Sequence, residues 1–177
     1  MLDNVSRKVL WTCEKWQYDD KFNFVKGRGL VLPEERKLLG IPPDEIAIRR
    51  DNVALNDGLG EMIDLMLGLT ANAYSAANAY MVVGDSNTAA AASQTDMQGT
   101  NVEKAMDGGF PSRSGQVATW KATYGSSDAN FAWEEGGVKN GTGAVSATIL
   151  MFNRKVTSLG TKGSGSTWTL TLDITFS

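Results

Sequence analysis

Residues Ser166 to Phe176 alternate without a break, with Trp168, Leu170, Leu172, Ile174 and Phe176 on one face and Thr167, Thr169, Thr171, Asp173 and Thr175 on the other. A period of two is the mark of a strand with one dry and one wet side. Such a strand needs a second layer to cover its apolar face, and weaker segments upstream supply candidates. Residues 44–52, 79–83, 116–124, 130–133 and 148–159 read as further strands between glycine-rich turns. Within 116–124, Ala118, Trp120, Ala122 and Tyr124 share a face, as Phe131 and Trp133 do in the next segment. No crossover helix separates these strands, so the pattern predicts a mainly β fold, an antiparallel β-sandwich of jelly-roll type.

One helix stands out over Asn56 to Leu69. Asn56 or Asp57 is placed to cap it, Leu59, Met62, Ile63 and Met66 recur at spacings of three and four, and Gly68 supplies a stop. Leu65 and Leu67 widen the apolar stripe, which predicts a core helix covered on more than one side.

Charge and glycine divide the chain in two. Ten of the 17 Lys and Arg precede Asn52 (Arg7, Lys8, Lys15, Lys21, Lys26, Arg28, Arg36, Lys37, Arg49, Arg50), while only Gly27, Gly29 and Gly40 of the 19 glycines do. In the leading segment Leu10, Trp11, Trp16, Phe22, Phe24 and Val25 occur in short groups between charges, with no sustained period. That mixture predicts an extended N-terminal arm over 1–43, with a short helix at Pro33 to Leu39, ahead of a sandwich domain over 44–177; the alternative is that the arm wraps its own domain. Ile41-Pro42-Pro43 forms a stiff connector. Fully extended at about 3.3 Å per residue, the first roughly 50 residues reach on the order of 165 Å. The arm's aromatic and basic side chains Trp11, Trp16, Phe22, Phe24 and Arg28 are the expected partner-binding residues.

The candidates for chemistry are few. The chain has no histidine, which removes any His-dependent triad or zinc site. Cys13 has no second cysteine to pair with. Gly84-Asp85-Ser86-Asn87-Thr88 lacks the Gly-Lys-Ser/Thr of a phosphate cradle and the spaced ligands of a calcium loop, and reads as a turn. Adjacent Glu134 and Glu135 point to opposite faces of a strand, so they do not converge as an acid and base; Glu135 reads as a structural carboxylate at a turn with Gly136 and Gly137. Lys162 to Ser166 reads as a hairpin connection, and Arg7, Lys8, Arg49 and Arg50 have acidic neighbours that point to ion pairs with a protein partner or to plain solvation. No catalytic, cofactor-binding or metal-binding residue is assigned. A net charge of -3 argues against nucleic acid and anionic membrane as partners, and no stretch approaches a bilayer span. A soluble protein without a classical export signal is expected.

Taken in order, Asn52-Val53-Ala54-Leu55-Asn56-Asp57-Gly58-Leu59 leading into Glu61 to Gly68 resembles the opening helix of small β-sandwich proteins of tailed-bacteriophage virions. Met81-Val82-Val83-Gly84-Asp85-Ser86, with the loop from Ala89 to Thr95, is similar to their first core strand and turn. Phe131 to Gly137 looks like a central strand and Trp168 to Phe176 like the closing one, so the resemblance spans roughly residues 52–177. It implies a non-enzymatic virion part, made in the host cytoplasm: a capsid decoration or cement protein on the head surface, or else a tail, baseplate or fibre module. The implied partners are the major capsid protein or other virion subunits and further copies of the chain, a trimer being the expected homo-oligomer.

Overall fold

The computed structural model describes residues 7–17, 36, 38, 40–69 and 72–176. They form two five-stranded antiparallel sheets and one helix. The first sheet runs in the order β2 (Glu45–Arg50), β1 (Arg7–Gln17), β10 (Ser166–Phe176), β7 (Val117–Tyr124) and β6 (Ser112–Ser114). The second has the order β3 (Val53–Ala54), β9 (Met151–Thr161), β8 (Ala132–Lys139), β4 (Tyr80–Gly84) and β5 (Asn101–Ala105). The helix α1 spans Asn56–Leu67.

The alternation of β10 places Trp168, Leu170, Leu172 and Ile174 against the second sheet, where they meet Met81, Val83, Trp133, Val138 and Phe152. Tyr124 and Trp168 stack edge-on against Trp133, with ring centroids 4.8 and 4.9 Å away. The buried Tyr124 hydroxyl donates to the Met81 carbonyl at 2.8 Å and so ties the two sheets together. These strands follow the sequence expectation to within a few residues, except that β8 runs past the expected end at Trp133 to Lys139.

The leading segment does not. Residues Arg7 to Gln17 are an inner strand, paired along their whole length with β10 and on the other side with β2. Trp11 and Cys13 point into the core between the sheets, with Trp11 only 1% exposed. Trp16, of opposite parity, is buried on the outer face beneath the Arg36 guanidinium, 5.2 Å from the ring. The expected arm is therefore corrected over 7–17. Its charges obscured the strand period, yet they are accommodated: Lys15 lies over Trp168 and pairs with Glu45 at 2.7 Å. Because Lys15 faces Glu45 in the ladder, the chain leaves and re-enters the sheet at one end, and residues 18–44 are a connection rather than a terminal tether. Its return is fixed by Arg36, which donates to the Asp44 carboxylate at 2.9 and 3.2 Å and to the Pro42 carbonyl at 3.1 Å. Within the expected short helix, Arg36 and Leu38 are helical.

α1 is also placed differently from expectation. Its N-cap is Leu55, which makes no side-chain cap; the Leu55 and Asn56 N–H groups instead donate to the carbonyls of Phe152 and Ala92. Gly58 faces β9 so closely that a Cβ there would collide with the Phe152 main chain. The helix thus docks through Gly58 and Glu61, and most of its apolar stripe faces outward. Gly68 ends it in the left-handed conformation, as the sequence indicates.

Candidate functional site

Among the expected partner-binding residues, Trp11 and Trp16 are buried within their own fold. Phe22, Phe24 and Arg28 lie outside the described residues. The surface that the fold does present is on α1. Ile63, Met66 and Leu67 occur at spacings of three and four, so they line one side of the helix, with Leu69 just beyond the cap. Met66 is 81% and Leu67 68% exposed. A contiguous exposed patch of this kind marks an interaction surface more often than chance, because leaving it in water forfeits about 25 cal/mol per Å². Only Met62 of the expected core stripe packs against the interior cluster.

α1 is held in this orientation by a polar anchor that gave little sequence signal. The Glu61 carboxylate accepts from the Asn72 main-chain N–H and from Asn140 Nδ2, the latter at 3.2 Å. Asn140 also donates to the Asn72 carbonyl at 2.9 Å and accepts from the Leu150 N–H at 2.6 Å. The helix therefore turns the Glu61 carboxylate inward and Ile63, Met66 and Leu67 outward.

A second polar cluster lies on the outer face of the second sheet. A bulge between Trp133 and Glu135 breaks the period of two, so Trp133 enters the core while Glu135 turns to the opposite side. Glu135 sits inside strand β8 rather than at a turn, which corrects the expected position but keeps its structural role. Its carboxylate accepts from Arg154 Nε at 2.6 Å and from the N–H groups of Gln98 at 3.2 Å and Gly99 at 3.1 Å. Both side chains of the Glu135–Arg154 pair are fully buried. Arg154 continues to Gln94 Oε1 and the Thr88 carbonyl, each at 2.9 Å, so one ion pair fixes both ends of the 85–99 loop. Gly84 makes room for it, since a side chain there would meet the Glu135 carboxylate. Beneath the loop, Leu55, Val82, Met97 and Met151 form a small separate apolar cluster. Glu134 points the other way and accepts from the Ser158 hydroxyl at 2.9 Å, so the two adjacent carboxylates do not converge.

Around the rim, the Lys104 ammonium beside Asp128, at 2.5 Å, holds that carboxyl below its usual range. Burial opposes ionisation of Glu103, but hydrogen bonds from Lys139 and the Gly143 N–H outweigh it and lower its pKa. Burial lowers the pKa of Lys162, whose ammonium donates to Asn130 Oδ1 at 2.8 Å. Cys13, fully enclosed, has its thiol pushed up to about 12 by burial, so it is inert as a nucleophile in the folded state.

A cavity of about 210 Å³ opens between the sheets at the Asp51–Asn52 connection, lined by Val9, Asn52, Ala54, Phe152, Asn153 and Ile174. Asn153 Oδ1 accepts from the Val138 N–H at 3.1 Å, while its Nδ2 and that of Asn52 have no hydrogen-bond partner among the described residues. Among the described residues no group of three or more His, Cys, Asp and Glu is arranged to hold a metal ion, and no helix is long and apolar enough to cross a membrane. No protein-family model, curated protein or solved structure matches the chain.

Proposed function

We propose that this chain is a non-enzymatic virion structural protein, a capsid decoration or cement protein whose rigid sandwich body docks on the head shell. The observation that carries the reading is the exposed apolar stripe of Ile63, Met66 and Leu67 on a helix whose opposite side is pinned to the sandwich. A rigid apolar ridge binds a neighbouring subunit without first being ordered, so little conformational entropy opposes docking. The connection 18–44, carrying Phe22, Phe24 and Arg28, supplies the additional contact in place of Trp11 and Trp16. Further copies of the chain multiply the attachment through effective concentration.

The test is stoichiometry together with a surface variant. Quantitative mass spectrometry of purified particles is expected to find hundreds of copies, and Met66→Lys with Leu67→Lys is expected to fold normally yet fail to bind particles lacking the protein. A handful of copies favours the alternative of a tail, baseplate or fibre module, for which the long 85–99 loop is the supporting feature. Absence from particles removes both readings.

A further inference from the structure

Strand β2 is an edge of the first sheet, paired only with β1 among the described strands, and its sequence is symmetric in apolar side chains and opposite in charge about its centre. Around Ala47 stand Ile46 and Ile48, then Glu45 and Arg49, then Asp44 and Arg50. We propose that β2 is a self-pairing edge, through which two copies of this chain join antiparallel about a two-fold axis at Ala47 to make one continuous ten-stranded sheet.

The backbone geometry selects that register. The Asp51 N–H donates to the Val9 carbonyl, its partner in line with the β1–β2 ladder, so by alternation Glu45, Ala47 and Arg49 turn their main-chain groups toward β1. Ile46 and Ile48 then turn theirs outward. Centred on Ala47, the register sets Ile46 opposite Ile48 of the second copy as a hydrogen-bonded pair, and Ala47 opposite Ala47, where side chains come closest and a small residue fits. Ile46 and Ile48 are each 52% exposed, and in the pair their side chains lie side by side on the outer face. Glu45 falls opposite Arg49 of the second copy, opposite charges facing twice. Shifting by two residues in either direction loses both charge matches, and shifting by one turns the isoleucines against the inner face.

Among the described residues, two side chains reach the outward edge. Arg49 donates to the Ile48 carbonyl at 3.0 Å while also holding Thr157 Oγ1 and the Ser158 carbonyl, and Lys155 donates to the Arg50 carbonyl at 2.7 Å. A carbonyl has two lone pairs, so the Ile48 oxygen accepts an incoming Ile46 N–H without expelling the guanidinium. A self-complementary patch is isologous and closes at two copies. It therefore makes a dimer, or an assembly of dimers, rather than the simple trimer expected from the resemblance. The inference is independent of the virion reading, since it concerns the chain's pairing with itself.

The full chain, purified, is examined by sedimentation velocity across a concentration series. A short edge contact corresponds to a Kd on the order of 10 µM, so the wild type is expected to be mostly dimeric at roughly 100 µM. Ile46→Lys with Ile48→Lys, both at exposed positions, is expected to raise the dissociation constant by at least about 10-fold, because like charges then face across the axis. Ile46→Glu with Ile48→Glu is expected to be monomeric alone but to form a mixed dimer with the Lys variant. Circular dichroism confirms that both variants are folded. A wild type that stays monomeric at roughly 100 µM, a trimer, or two variants that fail to associate on mixing overturns the proposal.

Discussion

Strand β1 and helix α1 have exchanged the roles their sequences suggest. β1 mixes Trp11, Cys13 and Trp16 with Lys8, Glu14 and Lys15, and it lies in the middle of a sheet with Trp11 1% exposed. α1 has the most regular apolar stripe in the chain, and it leaves Met66 81% exposed. The difference teaches that a hydrophobic period shows which face of an element is apolar, whereas burial depends on what the rest of the chain can bring to that face. β1 has β10 and β2 as ladder partners and a second sheet above it. α1 docks on β9 through Gly58, on the core through Met62 and on Asn72 and Asn140 through Glu61, and nothing among the described elements covers its other side.

The largest effect that bears on this comparison is expected at Trp11. Trp11→Ala is expected to cost about 3–5 kcal/mol in urea unfolding, the penalty for emptying a large core site; an unchanged midpoint would return residues 7–17 to the status of a tether. Comparable in size is Glu135→Ala, which strands the buried Arg154 charge and is expected to cost about 3–5 kcal/mol, with limited proteolysis appearing first within residues 85–99. A smaller loss, about 1–3 kcal/mol, is expected from Gly58→Ala, because the added methyl pushes α1 off the Phe152 main chain. Thermal melts would show whether the helix detaches alone or takes the body with it.

Acid titration is expected to have a milder influence. Glu103 and Asp128 have folded pKa values below the ordinary carboxylate range, so each contributes stability that is complete above about pH 4 and is lost as pH falls through its folded value. Melting temperature measured from pH 6 downward should therefore drop in acid, and Glu103→Gln should flatten that drop. At the end of the scale, Met66→Ser is expected to alter stability by no more than about 0.5 kcal/mol, as for any surface site. A loss of several times that would mean the stripe of α1 is covered within the chain.

The polar clusters illustrate why the sites were harder to read than the strands. Glu135 and Arg154 are 19 residues apart, and Arg154 and Thr88 are 66 apart, so no local spacing announces that one pair ties down the 85–99 loop. β5 carries little strand signal because Asn101-Val102-Glu103-Lys104-Ala105 has a single large apolar side chain, its neighbours being committed to Lys139 and Asp128. The bulge ahead of Glu135 reverses the face of every later residue in β8, which strict alternation cannot foresee.

By itself, the sequence determined the β-rich class, the antiparallel order of elements, the limits of the closing strand and the glycine stop of the helix, since each follows from period, branching or backbone freedom within a few residues. Tertiary structure alone decided that residues 7–17 are an inner strand, that the helix shows Ile63, Met66 and Leu67 to solvent, and that Glu135 and Arg154 meet. Those outcomes depend on which distant surfaces compete to cover a face, and burial free energy is shared across the whole chain rather than written into any one stretch of it.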